Sequence, residues 1–530
     1  MPTLEWIGKD KVINHHQDVP YRVLERIYSY DENGQHDEDN GSENMIIRGD
    51  NLEALKALLP KYEGRVKCIY IDPPYNTGNE GWVYNDNVND PKIKKWLGEV
   101  VGKEGEDLSR HDKWLCMMYP RLRLLHKLLS EDGAIFISID DNEYANCKLI
   151  CDEIFGGHCF ITDAVWRSSD NSNNNSLKFS EDYNHTLIYA KNPAWKPNFI
   201  DDPSKRKHFK NPDNDPRGPW FDGNPVNNPG WRPNLQFDIT TPNGNIIKHP
   251  QNGWRWSMET IQEKLQTGEL RFSEDQTRLI RRTYLYELGG LTPSNLWMDL
   301  ETTGHTRRAK YDLKKIFPEV KVTDLFSTPK PSLLIEYILR LATDSDSLIL
   351  DSFAGSGTTA HAVLNMNKAD GGNRKFILVE MMDYAESITA ERVKRVINGY
   401  GEGKNAVEGT SGNFSFYDLG DTLLLSDGNL NEEVGESKIR EYIWYTETKE
   451  AMTDVVAEGE PYCLGTSRDT AYYFYYKKDE ITTLDYDFLS TVKTKAAGYI
   501  IYADLCTISD EELKKWNITF KKIPRDIAKV

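Results

Sequence analysis

Cysteine is scarce. Seven thiols in 530 residues, none spaced as CxxC, leave no disulfide framework or thiolate cage to expect. Cys147, Cys151, His158 and Cys159 cluster. Cys147 and Cys151 nevertheless fall four apart beside apolar residues, on one face of a predicted helix, where buried thiols are the ordinary outcome. No metal is expected. Long apolar runs are missing too: nothing approaches 18 uncharged apolar residues, so neither a membrane span nor a membrane partner is expected. The opening MPTLEWIGKDKVINHHQ carries no apolar signal core. Together these absences predict a reduced, cytoplasmic protein.

A surplus of positive charge is also absent. The net charge of −18 weighs against a polyanionic partner. Its distribution is uneven: between 160 and 330, 24 Lys plus Arg face 21 Asp plus Glu, and RLIRRTYL (278–285) and HTRRAKYDLKK (305–315) are the most basic stretches. Basic stretches are usually solvated faces, so this permits nucleic acid as a partner without arguing for it.

What is present is a rhythm of buried strands and amphipathic helices. The chain is too long for one core, and 38% hydrophobic residues with 11% aromatics suffice for packed domains. Residues 1–44 read as an irregular lead-in. MIIRGDN (45–51) is a short strand, LEALKALLPKY has helical spacing, and VKCIYI (66–71) is a second buried strand, a βαβ signature. WLCMMYPRLRLLHKLLS (114–130) is helical, with Pro120 a kink or the true start, and AIFISID (134–140) is a further strand. From 191 to 323 the rhythm gives way to Pro, Asn, Gly and Trp. It returns at PSLLIEYILRLA (331–342), SLILDSFAGSG (347–357), TTAHAVLNMN (358–367) and KFILVEM (375–381). The expected domains are therefore 1–44, a core half at 45–190, a recognition domain at 191–323, a second core half at 324–409 and a small α+β domain at 410–530.

Two strand ends carry chemistry. YIDPPYNTG (70–78) stops a buried strand with Asp72, Pro73, Pro74 and Tyr75 in a row. Proline fixes φ and lacks a donor, so the stretch is either plain punctuation or a rigid mount for an acid and a ring. In LILDSFAGSGTT, a strand ends at Asp351, and Gly355 and Gly357 let the chain turn into a helix whose first amides face a ligand. Glu380 ends the next strand, 23 residues beyond Gly357, where an acid accepts ribose hydroxyls in doubly wound folds. An adenosine-containing cofactor is expected. No Lys follows the second glycine as in a phosphate-binding Walker loop.

Together, DPPY and FAGSGTT resemble S-adenosyl-L-methionine-dependent amino-methyltransferases acting on DNA bases. Their order, DPPY first, resembles the β class. RGDNLEALKALL, GAIFISIDDNE, FSTPKP, the start LEWIGKDKVINHH and the ending FKKIPRDIAKV are similar to the modification (Mod) subunits of Type III restriction-modification systems. That resemblance covers nearly the whole chain. It implies an α/β, Rossmann-like doubly wound sheet interrupted by a target-recognition domain, with adenine-N6 methylation of a short duplex sequence after base flipping. Asp72 and the Pro73 carbonyl would accept the N–H groups of the exocyclic amine, Pro74 would stiffen the loop, and Tyr75 would stack on the base. Phe353, Gly355, Gly357 and Thr358 match the methionine side of the cofactor motif, Glu380 the ribose acid, and Asp50 the adenine contact; Asp351 is a further cofactor-binding candidate. Thr328 and Lys330 lie where the family closes over the methionine moiety. Asp50 also reads as a helix cap, and Lys330 as a surface lysine. The implied partners are double-stranded DNA, a second copy of the chain, and a restriction helicase-nuclease subunit in a prokaryotic cytoplasm. His305, Arg307 and Arg308 are candidate DNA contacts; Trp114 and Arg121 read as core. Cytosine-N4 or RNA methylation, and a specificity subunit with little methylation of its own, stand as alternatives.

Overall fold

The first 44 residues are not irregular. In a computed structural model two helical turns, Lys9–Val12 and His15–Asp18, lead into β1 (Arg22–Asp31) and the short β2 (Gly34–His36). Tyr28 of β1 stacks on Phe416 with ring centroids 5.1 Å apart, which ties the lead-in to a strand nearly 400 residues later. The aromatic residues that make this possible lie in a segment whose polar surroundings hide its periodicity. The structure describes residues 3–77, 95, 98–100, 109–172, 179–200, 206–223, 226–321, 326–452 and 459–528.

The apolar runs become the inner strands: β3 (Met45–Arg48), β4 (Val66–Ile71) and β5 (Leu129–Ile139). Residues Ile46, Ile47, Cys68, Ile69 and Ile71 are fully buried, as strands covered on both faces require. Helix α1 (Asn51–Tyr62) joins β3 to β4, and α2 (Arg110–Leu128) leads into β5. Pro120 lies inside α2, so the helix does not start there; a capping box between Ser109 and Asp112 starts it. Then follow α3 (Tyr144–Cys151), β6 (Phe160–Arg167), β7 (Tyr183–Ala190) and β8 (Leu296–Trp297). The rhythm resumes with α4 (Ser332–Ala342), β9 (Leu348–Asp351), α5 (Thr358–Asp370), β10 (Lys375–Glu380), α6 (Glu391–Asn398) and β11 (Phe414–Thr422).

These strands form one sheet in the order β8-β6-β7-β5-β4-β9-β10-β3-β11-β1-β2. The six strands from β5 to β11 in that order are parallel, while β7 and β1 pair antiparallel at the two flanks. From β4 the chain proceeds to β5 on one side, and from β9 to β10 on the other. The β4/β9 junction is therefore the point where the winding reverses, and ligands bind at the carboxyl ends of strands there. Cys147 and Cys151 are buried in α3, and every cysteine is a free thiol. Among the described residues no helix is long and apolar enough to cross a membrane.

The segment expected to be a recognition domain divides differently. One compact unit spans Pro197–Pro293; the other comprises Met1–Lys196 and Ser294–Val530. Residues 294–321, with the helix Thr306–Ile316, thus belong with the sheet, not with the irregular segment. The Pro197–Pro293 unit has a three-stranded antiparallel sheet in the order Leu270–Phe272, Leu279–Tyr284, Trp220–Gly223. A helix Met258–Gln266 packs its Ile261 into a small core with Trp254, Leu270 and Leu279. The C-terminal segment is not set apart either: β11 is a strand of the main sheet, and Ile439, Tyr442 and Ile443 sit in its core. A four-stranded sheet follows, Cys463–Ser467, Thr470–Phe474, Gly498–Ala503 and Ile518–Lys522.

Candidate active site

β4 leaves its ladder at Ile71, opposite Ile137, and the next residues are Asp72, Pro73, Pro74 and Tyr75. Neither proline has an N–H to leave unpaired, so the chain can lift off the sheet without an orphan donor. The Pro74 carbonyl accepts the indole N–H of Trp114 at 2.7 Å. Trp114 is fully buried, and its role here was missed in the sequence because an apolar helix position disguises a donor. The Asp72 carboxylate is paired with Lys330, Nζ to Oδ2 at 2.6 Å, with the two side chains 14% and 10% exposed. The same ammonium lies 4.9 Å from the Tyr75 ring centre, a cation over an aromatic face. Lys330 is therefore neither a solvated lysine nor a residue of the cofactor loop alone. Among the described residues Asp72 Oδ1 is buried and meets no donor at hydrogen-bonding geometry. Burial, helped by the Asp72 charge, holds the Tyr75 phenol well above its ordinary pKa.

The glycine loop begins one strand away. Gly355 and Gly357 take φ of 51° and 79°, the left-handed region that glycine enters freely. A side chain at Gly355 would come within 2.9 Å of Phe326, and one at Gly357 within 3.0 Å of the Thr389 carbonyl. Asp351 ends β9, accepting from the Thr359 hydroxyl at 2.5 Å and the Phe353 amide at 3.0 Å. Burial pushes its carboxyl up to about 7, those two hydrogen bonds oppose the rise, and the Asp72 and Glu380 charges add to it. Glu380 accepts from the Gly355 amide at 2.8 Å and the Met382 amide at 3.0 Å; burial raises it to about 7 against those bonds. Beneath the loop, buried Arg392 donates to the Ser356 hydroxyl at 2.9 Å and the Thr358 hydroxyl at 2.8 Å. Thr358 in turn donates to the Lys330 carbonyl at 3.2 Å, which joins the FSTPKP segment to the start of α5. A small pocket results, lined by Asp72, Phe326, Thr328, Lys330, Asp351, Phe353, Gly355 and Thr358 among others.

Asp50 caps α1, accepting from the Leu52 amide at 2.8 Å and the Glu53 amide at 3.4 Å. It also receives Arg121 Nη2 at 3.0 Å. Arg121 is 1% exposed and donates as well to Asn51, whose amide reaches the Ser352 carbonyl at 2.9 Å. The arginine on α2 thus connects the β3 end to the glycine loop, a role beyond the core filler that its position in an apolar helix suggests. His305, Arg307 and Arg308 lie outside this cluster, at the start of the helix Thr306–Ile316. Arg307 pairs with Asp170 at 2.9 Å and Arg308 with Glu301 at 3.8 Å, exposed pairs of small energetic weight. The polar stretch SSDNSNNNS (168–176), a loop by its composition, falls partly outside the described residues.

An acid-proline-proline-aromatic loop beside a glycine-turned strand and helix defines a doubly wound α/β protein with a pocket at its winding reversal. The chain belongs to the DNA methylase family, whose N6/N4 methylase model matches residues 66–391. It is 36% identical over 367 residues to the Mod subunit of the StyLTI Type III restriction-modification enzyme of Salmonella typhimurium, covering 64% of this chain and 53% of that one. With the EcoP15I Mod subunit of Escherichia coli the identity is 32%, over 72% of this chain and 64% of the relative. With the type II methyltransferase M.KpnI of Klebsiella pneumoniae it is 30%, over 64% of this chain and 81% of the relative. The matched stretches thus span between half and two thirds of the Type III relatives.

Proposed function

We propose that this chain is a DNA adenine-N6 methyltransferase that uses S-adenosyl-L-methionine and serves as the modification subunit of a Type III-like restriction-modification system. The observation that carries the reading is the meeting of the Asp72–Tyr75 loop and the glycine loop on neighbouring strands β4 and β9. The residues present suit the cofactor. The pocket sets a cation, carboxylates and a phenyl ring around one space, and Ser352 Oγ beside it is buried without a partner among the described residues. Thr328, Lys330, Phe353, Gly355, Gly357 and Thr358 would hold the methionine side, Glu380 the ribose and Asp50 the adenine. When bound, the cofactor supplies an electrophilic methyl on a sulfonium.

The chain's own residues prepare the nucleophile. An aromatic amine is a weak nucleophile because its lone pair is delocalised into the ring. Asp72 Oδ1 and the Pro73 carbonyl accept its two N–H groups and draw the nitrogen toward tetrahedral geometry. The prolines hold these acceptors before the substrate arrives, so little reorganisation remains for the transition state. Tyr75 presents a face to the flipped base, and Lys330 must yield that face as the base enters. Asp72 then takes the proton that the methylated nitrogen releases. Duplex DNA is the substrate, and a second copy and a restriction subunit are the partners.

Long-read sequencing of DNA from a methylation-free host expressing the chain tests this, beside one expressing Asp72→Ala. N6-methyladenine at one short motif, reduced at least about 100-fold in the variant, is expected, the scale lost when a preorganised polar contact to the reacting group is removed. Methylcytosine instead would move the reaction to N4. A purified chain that binds no labelled cofactor would sink the reading.

A further inference from the structure

The loop that carries Asp72 is fixed at its far end by a residue given no role so far, Glu143, the last of GAIFISIDDNE. Asn76 follows Tyr75 with φ of 59° and is 4% exposed. Asparagine tolerates this left-handed conformation better than most residues, at some cost. The Asn76 amide donates to the Arg110 carbonyl at 3.0 Å and to Glu143 Oε1. The Glu143 side chain is completely buried, just before α3. Its carboxylate also receives His111 Nδ1 at 2.7 Å on Oε1 and the Asn146 amide at 2.7 Å on Oε2. A buried carboxylate survives only where donors compensate it, and three side-chain donors converge on this one.

The consequence concerns the acceptors. Asp72 and Pro73 are bracketed between Ile71, still in the ladder, and two anchors on the far side: the Pro74 carbonyl on Trp114 and Asn76 on Glu143. Trp114 fixes where the loop passes. The Glu143–Asn76 pair holds the turn that follows Tyr75. Glu143 meets the loop through Asn76.

We propose that Glu143 is a positioning residue for methyl transfer, holding Asn76 in its left-handed turn so that the Asp72–Tyr75 loop meets the target amine in register. This rests on the methyltransferase reading above. Catalysis is sensitive to such alignment, a misplacement of about 1 Å being worth about 100-fold. Glu143→Gln keeps the shape and one acceptor oxygen but removes the charge, so the hydrogen bond from Asn76 loses its charge assistance. Asn76→Gly keeps the backbone conformation without strain and removes only the amide.

The full-length chain, both single variants and the double variant are assayed with tritiated cofactor on DNA from a methylation-free host. Melting temperature and cofactor dissociation constant are measured in parallel. The expected result is a fall in kcat of about tenfold or more in each single variant, no further fall in the double variant, and an unchanged cofactor dissociation constant. Wild-type kcat in Glu143→Gln overturns the proposal. Losses that multiply in the double variant also overturn it, since independent contributions add in free energy, as does a kcat loss matched by lost cofactor binding, which marks a general structural defect. A wild-type chain that binds cofactor but transfers no methyl to this DNA overturns the methyltransferase reading itself, before any variant is compared.

Discussion

Lys330 and Asp72 form an ion pair with little solvent around it, and such pairs behave asymmetrically. Removing one partner leaves an uncompensated charge, which costs about 3–5 kcal/mol, whereas removing both is often near neutral. Lys330→Met is therefore expected to lower the melting temperature clearly, and adding Asp72→Asn should recover most of the loss. Activity should stay low in the double variant, because the acceptor is gone. Differential scanning calorimetry on Lys330→Met, Asp72→Asn and the double variant decides it; a fully additive double variant would show the pair is not coupled. Asp351 makes a prediction in pH. Its folded pKa of about 7 lies above the ordinary carboxylate value, so the folded state binds the proton more tightly. Where the folded state holds more protons, stability falls as pH rises. The contribution is thus full near pH 4, declines up to about pH 7, and is spent above it. Asp351→Asn has no proton to lose there. Its melting temperature, measured from pH 5 to 8, should fall less steeply than that of the wild type; parallel slopes would contradict the assignment.

Helix α2 is the element on which the site hangs. Trp114, Arg121 and the Arg110 carbonyl all project from it, toward Pro74, Asp50 and Asn76 respectively. The sequence reveals this helix by its apolar spacing but not its function, since the indole N–H and guanidinium that do the positioning sit at positions which read as core. Conversely, DPPY and FAGSGTT are legible because proline and glycine impose backbone conformations that few other residues allow. That the two loops are neighbours is not legible: it follows from β4 pairing with β9 across nearly 280 intervening residues, and local periodicity contains no pairing information. Trp114→Phe tests the element. It keeps an aromatic ring in the core but leaves a small void and deletes the donor to Pro74, so a buried carbonyl is short of a partner, at about 1–3 kcal/mol. Chemical denaturation should show that loss. kcat should drop about tenfold, with the cofactor dissociation constant unchanged, since the glycine loop is held separately by Glu380 and Arg392.

At the scale of the molecule, sequence composition locates the irregular segment yet places its edges poorly. The basic stretch 305–315 shares its polar character with the preceding residues, so composition alone continues the segment to 323. The fold ends it at Pro293, because Leu296 and Trp297 pair with β6 and the helix Thr306–Ile316 buries Ala309, Leu313 and Ile316. The lead-in and the C-terminal segment were obscured for the related reason that β11 pairs with β1 on one side and β3 on the other, contacts of long sequence separation. This division makes the last prediction. The sheet, the Asp72–Tyr75 loop and the glycine loop all belong to one unit, and the Pro197–Pro293 unit has its own small core. Replacing 197–293 by a flexible Gly/Ser linker should therefore leave a folded protein that binds labelled cofactor within about threefold of the wild type. The same protein should lose methylation at a defined sequence, because the excised unit carries RLIRRTYL and the tryptophans interleaved with it: Arg282 lies 4.2 Å from the Trp220 ring centre, and Arg271 5.7 Å. Cofactor titration and sequencing of host DNA give the two readouts. Site-specific methylation surviving the excision would place recognition on the sheet-bearing unit, with Arg307 and Arg308 the first residues to substitute.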